Sequence, residues 1–499
     1  MKTTTALLLS GLSIVATAKD WPMWGNDPTR NMVGESKELP TEINPGELDD
    51  DTEAALLDSA KNIKWAAKLG SQAYGNTVIA GGKVYIGTNN ESPRDEAQKG
   101  DRGVLMAFDE KDGSFEWQLI IPKLGAGKVS DWEYVGLCSS PAVEGNRMWL
   151  VTNRGEVICL DTEGMANGND GPFKDEAKYM AVKDEVVKVT KEHADIIWIY
   201  DMREELGIFP HNVSSCSPVV VGDVLYTATS NGVDWSHTNI PAPNSPALVG
   251  LNKNTGKLLG EEASGVSTRV LHASWSSPAY GEIGGKDTIV WGGGDGYTYA
   301  FDPKPIKDEE GFDVFKELWR HDCNPVEYRK KNDKPIKYAT YAGPSEIIGT
   351  TVISDGLVYS IIGQDPEHGD GVGQITCIGP DGKAKWTSKD TGRSISTVSV
   401  AGGLVYAAEY DGDIHCFDAK TGKLYWTHET QSRIWGSTLV ADDKVWLGTE
   451  DGELHILRAG KELKSLATVE FPAPIYSSAV VANGVVYVAT QTHLYAIGK

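Results

Sequence analysis

Cysteine is scarce and scattered in this 499-residue chain, with six in all and the first at Cys138. No two are adjacent, and none stands in a CxxC or CxxCH arrangement. That spacing excludes a disulfide framework as the basis of the fold, a paired-cysteine structural zinc site and covalently attached c-type haem. Basic residues are also in deficit: 47 Lys and Arg face 70 Asp and Glu, a formal net charge of −23. Phosphate backbones require clustered cations, so nucleic acid is excluded as a partner. No run of about 18 consecutive apolar residues occurs, so no transmembrane segment is expected.

The longest apolar stretch is a short one at the N-terminus. Lys2 precedes an apolar core from Ala6 to Val15, and Ala16-Thr17-Ala18 has the small-residue pattern of a cleavage site. Residues 1–18 therefore read as a signal peptide, and the mature chain is expected to be periplasmic or secreted. Residues 19–60 read as an N-terminal extension and 61–499 as one folded domain.

Glycine and tryptophan are plentiful, 55 and 15, as many short strands joined by tight turns would need. Eight segments share one template: a small-residue entry, an apolar strand, a Gly/Asp/Asn turn, an aromatic-centred strand, a third strand ending near Asp, and a fourth that often ends at Trp. The copies enter at Tyr74, Cys138, Ser215, Trp275, Ile348, Ile395, Trp435 and Tyr476. Spacing of about 40 residues is that of one four-stranded propeller blade. Gly81-Gly82, Asp355-Gly356, Gly402-Gly403 and Asn483-Gly484 supply the first hairpin turn. The last copy stops at Lys499 without a fourth strand, while Asn62-Ile63-Lys64-Trp65 resembles one without a blade. The expected fold is therefore all-β: an eight-bladed β-propeller of four-stranded antiparallel blades, closed by an N-terminal strand pairing with the last blade.

The phrases AFDEKDGSFEW (Ala107 to Trp117) and CFDAKTGKLYW (Cys416 to Trp426) resemble the tryptophan-docking motif of pyrroloquinoline quinone (PQQ) repeat propellers. The likeness runs from about Trp65 to the end, and WPMWGNDPTRN (Trp21 to Asn31) is similar to the lead-in of exported bacterial quinoprotein-like proteins. In repeat and size the chain also resembles the propeller lipoprotein of the outer-membrane barrel-assembly machinery, without an early cysteine for a lipid anchor. For an enzyme of this class the resemblance implies PQQ with calcium as cofactor. The vicinal cysteine pair of PQQ alcohol dehydrogenases is missing, and their calcium-binding and catalytic carboxylates match no local motif here.

Candidate site residues follow from blade geometry. Connections from second to third strand and from fourth strand to the next blade share one face. Long insertions from Asn89 to Gly103, Ser230 to Pro246 and Gln364 to Gly373 crowd that mouth. Residues just before the strand entries include Gln72, Asn212, His272, Glu346, Arg393 and Arg433. Arg393 and Arg433 could clamp a carboxylate ligand or instead pair within the loops, with Trp275 and Trp435 as stacking surfaces. Asp365 and Asp370 are candidate calcium ligands in an oxygen-rich loop that also reads as a plain turn. Cys138 and Cys216, on first strands of neighbouring blades, are candidates for a disulfide. The insertion from Glu163 to Asp195 is expected on the opposite face.

The function expected is a non-catalytic binding or scaffold protein of the bacterial envelope, holding an envelope protein, a peptide or a small anionic ligand. The alternative is a PQQ-dependent oxidoreductase acting on an alcohol or sugar.

Overall fold

A computed structural model describes residues 19–499; the signal segment read over residues 1–18 lies outside them. Eight antiparallel four-stranded blades follow one another in sequence order. Blade 1 is Val78–Ala80, Lys83–Asn89, Arg102–Asp109 and Phe115–Pro122. Blade 8 takes Val480–Ala482, Val485–Ala489 and His493–Ile497 from the C-terminus and Ile63–Lys68 from the N-terminus. Ala496 pairs with Trp65 and Tyr495 with Ala66, which is the closure the sequence implies. The third strand of blade 8 is thereby paired on both sides, and no strand is left open at the seam.

The tryptophan repeat works at the blade interfaces. Each fourth-strand Trp sits opposite a small third-strand residue: Ala107 faces Trp117, Cys377 faces Trp386 and Cys416 faces Trp426. The indole then leans onto the following blade, where its Nε1 donates to a carbonyl. Trp65 donates to Glu110 O (3.0 Å), Trp117 to Thr162 O (3.0 Å), Trp386 to Ala419 O (2.9 Å) and Trp426 to Gly460 O (2.9 Å). A glycine is needed beneath it: a Cβ at Gly422 would lie 2.4 Å from the Trp386 ring. The buried cysteines Cys159, Cys377 and Cys416 are thus small spacers opposite Trp. Cys416→Leu should overpack that slot and cost about 1–3 kcal/mol, read as a lowered denaturation midpoint.

Blade 3 lacks the tryptophan, carrying Gly260 opposite Gly250. Phe315 of blade 4 fills the gap, 2.6 Å from where a Gly250 Cβ would be. The fourth strands Leu258–Glu262 and Asp313–Asp322 consequently pair in parallel, merging the two blades into one eight-stranded sheet.

Two devices tie the ring centrally. Two residues after each entry stands Asn, Ser or Thr, and its N–H donates to the side chain of its counterpart in the next blade. Asn76 N reaches Ser140 Oγ (3.2 Å), Ser140 N reaches Ser217 Oγ (3.0 Å) and Ser217 N reaches Ser277 Oγ (2.9 Å). The chain resumes from Thr350 through Thr397, Ser437 and Ser478 back to Asn76.

The second device is the segment Lys19 to Ser36, which crosses the face opposite the mouth. It contacts every blade in turn: Ile79 through Trp21, Val143 through Pro22, Tyr280 through Pro28 and Ile353 through Thr29. Asn31 bonds Val400, Met32 O accepts from Val440 N, and Lys19 O accepts from Asn483 N. Arg30, fully buried, donates to Pro278 O (2.8 Å), Trp24 O (2.6 Å) and Ser217 O (2.9 Å). The lead-in is therefore a strap across the base of the propeller.

The structure corrects the insertion after Glu163. It leaves the base, runs beside the fourth strand of blade 1 through a parallel bridge of Gln118 with His193, and reaches the mouth-face loop. There Arg102 donates to Met180 O (3.2 Å) and pairs with Glu185.

Candidate ligand site at the channel mouth

The eight entry residues line the axial channel: Tyr74, Cys138, Ser215, Trp275, Ile348, Ile395, Trp435 and Tyr476. The Asn/Ser/Thr girdle forms the wall below them, and Trp24 of the strap forms the floor, its Nε1 donating to Thr350 Oγ1 (2.9 Å). The result is a dead-end cavity of about 560 Å³, within the range of small-ligand pockets.

One side is aromatic. Trp435 stacks on Tyr476 (4.9 Å between ring centres), Tyr476 on Tyr74 (5.2 Å), and Tyr410 meets Trp435 edge-on (5.6 Å). Glu450 fixes the indole by accepting from Trp435 Nε1 at 2.8 Å. The charged lining residues are Glu133, Asp365 and Glu367; at the rim Glu367 pairs with Lys128 (3.4 Å), whose ammonium lies 4.2 Å from the Trp132 ring centre.

The two arginines of the mouth do not form a clamp. Arg393 is buried and donates to carbonyls of Thr340, Gly343 and Asp370 and to Ser345 Oγ, binding the connection into blade 5 to the loop from Gln364 to Gly373. Arg433 is exposed, with its guanidinium 5.4 Å from the Tyr410 ring centre. Ion pairing within the loops does not describe Arg393 either, since its partners are neutral.

The proposed calcium ligands also separate. Asp365 is buried, accepts from Glu367 N at 2.8 Å and caps a short 3₁₀ turn, whereas Asp370 is exposed. Among the described residues neither belongs to a group of three metal donors. Cys138 and Cys216 are free thiols. Cys216 Sγ instead accepts from Thr227 Oγ1 (3.3 Å) and Ala228 N (3.2 Å) within its own blade.

Beside Trp275 the mouth gathers histidines that blade geometry only partly locates. His272 has its ring centre 5.0 Å from Trp275, 4.4 Å from His211, 4.9 Å from His237 and 5.2 Å from His368. His211 immediately precedes Asn212, His237 rides on the exposed blade 3 loop, and His368 comes from the blade 5 loop. Backbone bonds fasten these connections together: His211 N donates to Ser230 O (3.1 Å) and Val233 N to His272 O (2.9 Å). Gly232 permits that approach, since a Cβ there would lie 2.4 Å from His272 O.

Burial keeps His211 and His272 neutral, drawing His211 down to about 4 and His272 to about 2, with added repulsion from neighbouring imidazoles. Glu346 is fully buried and its carboxyl is held well above the usual carboxylate range by desolvation. It accepts from Tyr338 Oη at 2.9 Å, and Tyr338 in turn meets His272 Nδ1 at 3.1 Å. Tyr338, on the long connection into blade 5, is invisible to the repeat template.

With this geometry established, the chain can be placed among known proteins. The family model described as outer membrane protein assembly factor BamB matches residues 65–302 and 316–498. The chain belongs to that family. No curated protein matches it in sequence. Its fold is similar to that of BamB from Moraxella catarrhalis, at 14% identity and a TM-score of 0.53 over 87% of this chain and 96% of that one. It is also similar to quinohemoprotein alcohol dehydrogenase from Comamonas testosteroni, at 13% identity and a TM-score of 0.50 over 98% of this chain and 83% of that one. At these identities the likeness speaks for the PQQ-like propeller fold. Among the described residues no helix is long and apolar enough to cross a membrane.

PQQ, the cofactor the fold implies, is a tricarboxylate, and the cavity does not fit it. Three acidic side chains line the space, the rim cation Lys128 is paired with Glu367, and Arg393 already bonds carbonyls. A carboxylate there would meet repulsion where it needs paired donors.

Proposed function

We propose that this BamB-family propeller is a non-catalytic binding protein of the bacterial envelope that holds a polypeptide segment at its mouth, with a Lys or Arg side chain entering the cavity. The observation that carries this reading is the lining: an aromatic wall with Glu133, Asp365 and Glu367, of which Glu367 already holds the ammonium of Lys128 (3.4 Å) where that ammonium lies over the Trp132 ring (4.2 Å to its centre). Such a surface attracts a cation carried on an apolar stem, through ring faces and through the carboxylates. The net charge of −23 adds long-range attraction for a basic partner. Exposed Tyr134, Trp235, Val326 and Tyr341 stand on mouth-side connections, which favours a polypeptide over a free metabolite. The family's description as an assembly factor and the signal-like N-terminus support a periplasmic or secreted place.

The test is a fluorescence titration with a short lysine-bearing peptide and its Glu-for-Lys counterpart. The lysine peptide should quench saturably, and Trp435→Ala should weaken it by about 1–2 kcal/mol, the scale of a desolvated cation–π contact. Equal affinity for the acidic peptide would sink the reading.

A further inference from the structure

We propose that His211, His237 and His272 form a binding site for one borderline transition-metal ion, Zn²⁺ or Cu²⁺ being the ions the donor set suits. One ring nitrogen from each lies within 4.8 Å of the other two. Metal–imidazole bonds are about 2.0–2.1 Å, so the three donors have to draw closer around one ion, a movement to which His237 contributes on its exposed loop. Three imidazoles without a carboxylate suit zinc, copper or nickel and not calcium or magnesium.

Two buried atoms point to a ligand independently of the clustering. His211 and His272 are 0% and 1% exposed, and the Nε2 of each has no hydrogen-bond partner. Buried nitrogens are normally satisfied, so two unpartnered ones on rings 4.4 Å apart between centres need an explanation. Their other nitrogens are engaged. His211 Nδ1 lies 2.5 Å from Val233 O, and since a carbonyl only accepts, Nδ1 carries the proton. The Nε2 lone pair of His211 is thereby left free. For His272, Tyr338 donates to Glu346, and its oxygen accepts from His272 Nδ1. A carbonyl on the far nitrogen is one way proteins fix metal-binding imidazoles, and the Tyr338 hydroxyl, itself bonded to the buried Glu346 carboxyl, orients His272 in the corresponding manner.

The architecture provides access as well. His211 and His272 stand on connections that are each tied by backbone bonds to residues 230–233, the start of the loop that carries His237, while His237 itself is exposed, giving a preformed half-site and an entry path. His368 lies against His272 and His237 (5.2 and 5.8 Å between ring centres) without joining the donor set. A second acidic group, Glu409, Asp413 and His415, is different: its His415 Nε2 already bonds Glu409 at 2.9 Å. The metal site does not depend on the peptide reading.

The test uses the purified chain without a polyhistidine tag, stripped with chelator and dialysed against Co²⁺, then Zn²⁺ or Cu²⁺. One equivalent should be retained, with visible Co²⁺ absorption and nitrogen hyperfine structure in the Cu²⁺ resonance. His237→Ala, on an exposed loop, should lower affinity at least about tenfold with an unchanged melting curve. Tyr338→Phe, a positioning change, should lower it by about 10–100-fold while the nitrogen hyperfine pattern persists. His428→Ala, outside the cluster, should change nothing. Failure to retain Co²⁺, or retention unchanged in both His237→Ala and His272→Gln, would overturn the proposal.

Discussion

Arg30→Ala is expected to destabilise the propeller by about 4 kcal/mol or more, among the largest effects of any single substitution in the chain. The guanidinium bonds three buried carbonyls contributed by the strap itself, blade 3 and blade 4. Each lost charge-assisted bond is worth about 1.5–3 kcal/mol, and each orphaned acceptor adds a desolvation penalty. Burial also draws Arg30 down to about 10, so the group remains charged at neutral pH and its removal strands the carbonyls that face it. Arg30→Met retains the stem and separates the two contributions: if packing dominated, Met would restore most of the loss. Urea unfolding with tryptophan fluorescence reads both variants. An Arg30→Ala midpoint equal to that of the parent would show that the strap does not hold the ring.

Trp65→Ala is the second large effect, at about 3–5 kcal/mol. Trp65 is buried, faces Ala496 in the blade 8 sheet and donates to Glu110 O in blade 1. It therefore serves both the pairing that joins the two chain ends and the docking of blade 8 onto blade 1. A Cβ at Gly113 would sit 2.5 Å from its ring, so the neighbouring turn is moulded to it. The expected signature is a lower unfolding midpoint together with faster hydrogen exchange in residues 63–68 and 493–497. A loss confined to the midpoint, with those amides still protected, would place the weakness elsewhere.

The blades, the tryptophan docking and the N-terminal closure were legible because each is a local pattern repeated at a fixed period. The entry frame also located the channel wall at Trp275 and Trp435. What escaped is long-range or off-template. Arg30 meets carbonyls 187 and 248 residues away, and no local pattern announces a side chain that chelates distant backbone. Arg393 and Arg433 share a repeat position yet part company, since Gly343 and Thr340, on a connection of irregular length, capture one and not the other. His211 lies one place before the residue the frame selects, and Tyr338 lies on a segment with no counterpart in other blades. One signal was available: of only ten histidines in the chain, four stand in connections that share the mouth face.

The proposed function requires the mouth to select a cation over PQQ. It is tested most directly by titrating one preparation with PQQ plus Ca²⁺ and, separately, with benzyltrimethylammonium, following tryptophan fluorescence. Saturable quenching by the ammonium ion is expected, weakened in Trp435→Ala, with no saturation by PQQ up to about 100 μM, far above the dissociation constant of a resident cofactor. Saturable PQQ binding in the low micromolar range or tighter, with none by the cation, would contradict it and restore the oxidoreductase reading.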